Sequence, residues 1–300
     1  MQLGMIGLGK MGLNMTRRLL RGGHEVVAFD LSGDAIREAE KEGGKGAASI
    51  AALVPMLTAP RTVWLMVPAG KPVDDALDTL LGLLQPGDTV IEGGNSYYKD
   101  SIARRDRLAE KDIHFVDAGV SGGIWGLDNG YCLMVGGEKD VCARVEPIFT
   151  TLAPPNGYLY CGSAGSGHFV KMVHNGIEYG MMAAYGEGFE LMKASRYGST
   201  LDFEKIAHLW NQGSVVRSWL LELLENVFKD GNDLSDIKPY VEDSGEGRWT
   251  VQQAVETAVP APVITAALFQ RFASREGGAY SNQVLAALRN EFGGHRVAKK

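Results

Sequence analysis

The chain has 300 residues, with 30 Lys or Arg against 36 Asp or Glu, a formal charge of −6. At about 150 residues per domain this length predicts two domains. The acidic balance excludes a general nucleic-acid binder but leaves room for a local basic pocket. Glycine is in excess, 39 residues where ~7% is ordinary, without a collagen-like period or a Gly/Ser tract, which places it in many tight loops. Cys132, Cys142 and Cys161 lack CxxC spacing, which argues against a zinc or thioredoxin-type site, and no metal is expected. Three cysteines are too few for a disulfide framework and suit a reducing compartment. The N-terminus opens on a strand-like pattern without a basic and then apolar leader, and the longest apolar stretch, 258–269, holds two prolines. It is shorter than the ~20 residues of a membrane span, so a soluble, cytoplasmic protein is expected.

In chain order, residues 3–8 read as a buried strand and 11–21 as a helix ending at Gly22-Gly23. EVVAFD at 25–30 is a second strand, and Ser32 caps a helix running to about Glu42. TVWLMV at 62–67 is a strand followed by a helix over 73–84. Residues 89–92 form a fourth strand and 101–111 a helix, with further strands over 114–118 and 131–135. Repeated βαβ units predict a parallel, doubly wound sheet with helices on both faces. From about Gly162 the pattern turns helical, over 165–193, 203–212, 216–229, 250–257, 262–274 and 281–290. The polar loop 235–249 is too long to be idle. The fold class is therefore an α/β Rossmann-type doubly wound sheet followed by an all-α domain, divided as 1–162 and 163–300.

GLGKMG at 7–12 (Gly7, Leu8, Gly9, Lys10, Met11, Gly12) fits GxGxxG, between a predicted strand and a predicted helix. Gly7 permits the tight turn, Gly9 the close approach of a pyrophosphate, and Gly12 helix–strand packing. The helix N-terminus supplies amides and a positive dipole end. Glycines here also serve as plain turn formers, but the context favours a dinucleotide. Asp30 ends the second strand, 18 positions after Gly12, where a carboxylate binds adenosine ribose hydroxyls and repels a 2′-phosphate. With no arginine before Arg37, NAD is favoured as cofactor over NADP. Asp30 read blandly would only start a turn.

Lys171, His174, Asn175, Glu178 and Tyr179 recur at i, i+3, i+4, i+7 and i+8, within an arc of roughly 140° of a helix. That spacing normally carries an apolar stripe. Gly176, Gly180 and Gly186 each cost about 1 kcal/mol inside a helix, a further mark of a functional face over a solvated one. A lysine beside a cationic nicotinamide is lowered in pKa and accepts a hydroxyl proton. A glutamate protonates a carbanion or enol, and His174 and Asn175 can hold substrate hydroxyls.

KMVHNGIEYG at 171–180 resembles the signature of the 6-phosphogluconate dehydrogenase family. Six blocks occur in family order: GLGKMG, EGGNS (92–96), GVSGG (119–123), GHFVKMVHNGIEYG (167–180), GRWT (247–250) and RNEFGGH (289–295). The resemblance implies Lys171 as general base on the substrate 3-hydroxyl and Glu178 as the acid that protonates C1 after CO2 leaves. It implies that Asn95, Ser121, Gly122, Gly123, His174 and Asn175 bind the sugar acid, with Val67 and Ala69 along the cofactor and Asn95 also near it. Tyr179, Arg248, Thr250, Arg271 and Arg289 hold the phosphate on this reading, and His295 also reaches the substrate. Arg289 and His295 are donated by a neighbouring subunit in the family, which implies self-association as a dimer or tetramer, with no nucleic-acid or membrane partner. Taken alone, each arginine is equally a surface residue, His295 a tail histidine and Ser121 part of a bare turn.

Three departures stand out. The usual family member carries a second copy of the helical region, so this chain resembles the short bacterial branch. Arg248 replaces a lysine with the charge kept, and GIWG at 123–126 replaces an acidic stretch. Asp30, in place of the Asn-Arg sequence of NADP users, agrees with the NAD preference. The expected activity is NAD-dependent oxidative decarboxylation of a phosphorylated sugar acid, 6-phosphogluconate, to ribulose 5-phosphate. The alternatives are a non-decarboxylating β-hydroxyacid dehydrogenase, which would not need three arginines, and a catalytically silent NAD-binding regulatory protein.

Overall fold

The computed structural model describes residues 1–229 and 234–276. The chain divides into two compact units, Met1–Asn175 and Gly176–Lys300. In the first, the elements run β1 (Gln2–Ile6), α1 (Lys10–Arg21), β2 (Glu25–Phe29), α2 (Gly33–Lys41), β3 (Lys45–Gly46), α3 (Ile50–Leu53), β4 (Thr62–Leu65) and α4 (Lys71–Leu81). They continue as β5 (Thr89–Glu92), α5 (Tyr98–Ala109), β6 (His114–Ser121), α6 (Gly126–Asn129), β7 (Cys132–Gly137), α7 (Lys139–Leu152) and β8 (Tyr158–Gly162). The eight strands form one sheet in the order β3-β2-β1-β4-β5-β6-β7-β8. The reversal between β1–β3 and β4 is the switch point of a doubly wound fold, where ligands bind at the carboxyl ends of the strands.

Strand alternation gives the sheet two cores. Leu3, Met5, Trp64, Ile91, Val116 and Ala118 point to one face. Ile6, Val27, Val63, Leu65, Val90 and Phe115 point to the other. Both faces are covered by helices, as near-continuous apolar strands require.

The expectation of a uniformly parallel sheet needs one correction. β7 runs antiparallel to β6, with Val116 opposite Gly137 and Ser121 opposite Cys132. The link between them holds only a 3-10 turn at Gly123–Trp125 and the single-turn α6. That link has no crossover helix to return the chain to the starting edge, so the strand must reverse. β8 is parallel to β7 after the full-length α7.

Helix α8 (Ser166–Ala194) begins in the first unit and ends in the second. It is followed by α9 (Phe203–Trp210), α10 (Trp219–Val227), α11 (Glu246–Glu256) and α12 (Pro262–Ala273). Phe189 on α8 stacks on Phe228 and meets Phe203 and Trp210 edge-on, which forms one small core. Tyr179, Ala267 and Leu268 form another. The GRWT block does not sit in a long loop: Gly247 to Thr250 lie inside α11, which starts at Glu246. The predicted helix over 281–290 lies outside the described residues. Among the described residues no helix is long and apolar enough to cross a membrane.

Candidate active site

The first βα turn is built for close backbone approach. Gly7 has φ +98°, and a Cβ there would lie 2.4 Å from the Met66 carbonyl oxygen. A Cβ on Gly12 would lie 2.0 Å from the Gly7 carbonyl oxygen, whereas one on Gly9 would meet open space. Gly9 is the N-cap of α1 and supplies no side-chain cap, so the first-turn amides point outward for an anion. This cradle fits a pyrophosphate. Asp30 does more than end β2: its Oδ2 accepts the Leu8 N–H at 2.6 Å and its Oδ1 the Ser32 N–H at 2.8 Å. Each carboxylate oxygen keeps a further lone pair for a ribose hydroxyl.

The loop after β5 is held from below by buried charge. Glu92 is 0% exposed and Arg104 3%. Arg104 Nη1 donates to Glu92 Oε1 and to Ser96 Oγ, each at 3.0 Å, its Nε to Asp74 at 2.8 Å, and its Nη2 to the Gly70 carbonyl at 3.4 Å. Ser96 Oγ also donates to Glu92. Between these anchors Asn95 takes the left-handed region, φ +51°. Its Nδ2 donates to the Val120 carbonyl at 3.0 Å and its Oδ1 accepts the Val120 N–H at 2.9 Å. Asn95 thus clamps the end of β6 beside Ser121, where Gly122 (φ +132°) and Gly123 (φ +53°) turn the chain away.

Helix α8 is planted on the sheet. Asp117, fully buried on β6, accepts the Gly165 N–H at 2.6 Å and the His168 N–H at 2.8 Å. A carboxylate at a helix N-terminus satisfies orphan amides and complements the dipole. Ser101 Oγ bonds His168 Nδ1 at 2.8 Å and Glu92 Oε2 at 3.3 Å, so the buried polar network reaches α8. A Cβ on Gly119 would lie 2.4 Å from the Lys171 Cβ, so only glycine lets α8 come this near. Lys171 is 5% exposed, and its Nζ donates to Asn175 Oδ1 at 2.8 Å. His174 Nδ1 lies 2.9 Å from the same oxygen. Three predicted side chains therefore meet at one amide.

In the second unit, close packing explains the glycine at 176 on α8, and the same holds for Gly247 on α11. A Cβ on Gly176 would lie 2.8 Å from Thr250 Cγ2, and one on Gly247 2.4 Å from the Tyr179 ring. Tyr179 is buried, and the Arg271 guanidinium lies 3.4 Å from its ring centroid. Arg248 bonds Asp243 through Nε at 2.8 Å and Nη2 at 3.0 Å. The structure thus groups Tyr179, Thr250, Arg248 and Arg271 around the start of α11. Glu178 lies half-buried one position before Tyr179 on the same helix. Arg289 and His295 lie outside the described residues.

Residues 2–162 match the family model described as the NAD binding domain of 6-phosphogluconate dehydrogenase, and residues 167–298 the model of its C-terminal domain. The chain belongs to the 6-phosphogluconate dehydrogenase family. It is 47% identical over 302 residues to the NAD(+)-dependent, decarboxylating 6-phosphogluconate dehydrogenase of Haloferax volcanii, covering 100% of this chain and 99% of that one. The Plasmodium falciparum 6-phosphogluconate dehydrogenase superposes with a TM-score of 0.82 at 29% identity, covering 100% of this chain but 66% of the larger one. A 3-hydroxyisobutyrate dehydrogenase from Salmonella typhimurium has the same fold, with a TM-score of 0.77 at 22% identity over 92% of this chain and 95% of its own.

Both family domains are thus matched within this chain. Several positioning residues escaped the motif reading. Asp117 is a lone acid in an otherwise apolar strand, HFVDAGV, and that oddity was the available signal. Glu92 lay inside EGGNS but gave no sign of its arginine partner. Asp243, which orients Arg248, carried no signal at all.

Proposed function

We propose that this chain is an NAD-preferring, decarboxylating 6-phosphogluconate dehydrogenase. The observation that carries this reading is the buried Lys171 amine, held by Asn175 beside His174 on a helix that continues to Glu178 and Tyr179. The full-length likeness to the NAD(+)-dependent Haloferax enzyme supports it, as does the carboxylate of Asp30 where a 2′-phosphate would be repelled. When bound, the nicotinamide supplies the hydride acceptor for oxidation at substrate C3.

Lys171 Nζ takes the 3-hydroxyl proton as C3 is oxidised to the ketone. The resulting β-keto acid loses its carboxyl group as CO2, and the bonding pair flows into an enol whose oxygen receives the proton back from Lys171. Glu178 then protonates the carbon that lost CO2, which becomes C1 of ribulose 5-phosphate, as the enol returns its proton to Lys171. Asn95, Ser121, Gly122, Gly123, His174 and Asn175 hold the carboxylate and hydroxyls. Tyr179, Thr250, Arg248 and Arg271 hold the phosphate, the planar guanidinium fork matching its oxygens. Arg289 and His295 complete the site from a neighbouring copy in a dimer or tetramer. Gly7, Leu8, Gly9, Lys10, Met11 and Gly12 cradle the pyrophosphate, and Val67, Ala69 and Asn95 line the nicotinamide half.

The test is steady-state kinetics with 6-phosphogluconate, comparing NAD with NADP and trapping CO2. The expected outcome is NAD-favoured turnover with one CO2 per reduced cofactor. Oxidation without CO2 would move the chain to the non-decarboxylating reading, and no turnover with either cofactor would sink the assignment. Lys171→Met should lower turnover by at least about a thousandfold, within the range for loss of general acid–base catalysis, while NAD binding by fluorescence is retained.

A further inference from the structure

Three consecutive residues before α11 act as a rack for three arginines. The Val241 carbonyl accepts from Arg275 Nε at 3.1 Å, and the Glu242 carbonyl from Arg271 Nη1 at 2.8 Å. The Asp243 carboxylate accepts from Arg248 through both of its oxygens, and Oδ2 also accepts from Arg275 Nη2 at 2.7 Å. The Asp243 side chain is 4% exposed, while that of Arg248 is 49% exposed. Arg248 and Arg275 also both lie over the Phe272 ring, at 4.4 Å and 5.6 Å from its centroid.

This arrangement poses an electrostatic problem for an anion site. A buried carboxylate bonded edge-on to Arg248 fixes the direction of its fork, leaving Nη1 and the remaining Nη2 proton to face a ligand. The same carboxylate cancels the charge of Arg248. A neutral Arg248–Asp243 pair would recognise a dianion poorly, because charge-assisted bonds owe their strength to the uncompensated charge. Arg275 restores it, since the bonded trio Arg248–Asp243–Arg275 carries +1 and with Arg271 the cluster carries +2. Arg275 is 26% exposed and is tied to the rack at two points.

The geometry points to Arg275 as a further positioning and charge-setting residue of the phosphate subsite, acting through Asp243. Asp243 aims the fork of Arg248, and Arg275 cancels the cost in charge. This rests on the phosphate role proposed for Arg248 and Arg271, but the cluster's affinity for inorganic phosphate can be measured apart from the reaction.

The full-length protein is titrated with inorganic phosphate against chloride of equal ionic strength, with Tm as readout. The same proteins are then assayed with 6-phosphogluconate. Arg275→Met should weaken the phosphate midpoint and raise KM for 6-phosphogluconate by about tenfold each, with kcat within about twofold, since a binding interaction common to ground and transition states is lost. KM for NAD should not move. Arg275→Lys should recover most of the loss. The double variant Asp243→Asn, Arg275→Met returns the cluster to +2 and should bind phosphate better than Arg275→Met alone. A phosphate midpoint for Arg275→Met within twofold of the parent, or a double variant no better than the single, overturns the inference. If the parent protein binds phosphate and the variants behave as stated while 6-phosphogluconate is not turned over, the proposed activity fails and the role of Arg275 stands.

Discussion

The two units hold their charges in opposite ways. In the first, Glu92, Arg104 and Asp117 are sealed in the protein, each bonded on several sides to backbone or to one another. They present no charge to solvent and serve to hold backbone in place: the Asn95 loop, the Gly70 loop and the start of α8. In the second, Arg248 lies half-exposed over a ring, and the sealed carboxylate of Asp243 sits behind it. The comparison teaches that Lys171 is set among buried, paired charges, whereas the arginines proposed to hold the phosphate are groups that solvent can reach. A buried pair is costly to break because a lone charge remains. A surface pair is worth little to stability.

The sharpest way to break this comparison is Arg104→Met. It leaves Glu92 buried and uncompensated, and breaking such a pair costs about 3–5 kcal/mol. Urea denaturation followed by the fluorescence of Trp64, buried in the same unit, should show a loss of that order. The double variant with Glu92→Gln should recover a large part. A loss under about 1 kcal/mol would mean that water reaches Glu92 and that these charges are less sealed than described. A smaller effect is expected from Gly119→Ala. Its Cβ would fall 2.4 Å from that of Lys171, on a helix pinned by Asp117. Overpacking of this kind costs about 1–3 kcal/mol. The displaced Lys171 should lower kcat about tenfold or more, with KM for NAD unchanged. Unaltered kcat would show that α8 shifts freely on the sheet.

What could be read in advance divides along the same line. The turn at Gly7, the end of β2 at Asp30 and the polar face of α8 were legible because each is local: a spacing of glycines, a strand end, a helical period. Strand β5 falls where three β-prone residues and Glu92 follow a Pro-Gly turn. The antiparallel β7 was not legible, because the period of a strand is the same in either direction and only the short link sets it. Helix α7 was missed, with Pro147 inside it, as were the short edge strand β3 and the strand β8. Arg248 falls within the polar loop expected over 235–249, whereas α11 starts at Glu246 and Tyr179 packs where a side chain on Gly247 would lie. The pairings of Glu92 with Arg104 and of Asp243 with Arg248 and Arg275 join residues from separate elements or helices, and no spacing announces them.

The smallest expected effect concerns Asp243, a sealed acid of the second unit. Hydrogen bonds from Arg248 hold the Asp243 carboxyl down at about 2, against the opposing pull of burial and with the help of Arg275. A carboxylate whose folded pKa lies below its ordinary 3.8 contributes stability that is fully present above that value and is lost as the pH falls toward about 2. Asp243→Asn has no such titration, so the difference in Tm between the parent and this variant isolates it. Acid effects elsewhere in the chain enter both proteins and cancel. The difference should be constant from about pH 7 to pH 5, then shrink steadily from about pH 4 to pH 2. A difference that stays flat across that lower range would mean that the carboxylate gains nothing from its two arginines on folding. Asp243 would then be an aiming device alone, and the contrast between a sealed acid and the exposed arginine it serves would rest on geometry without energy.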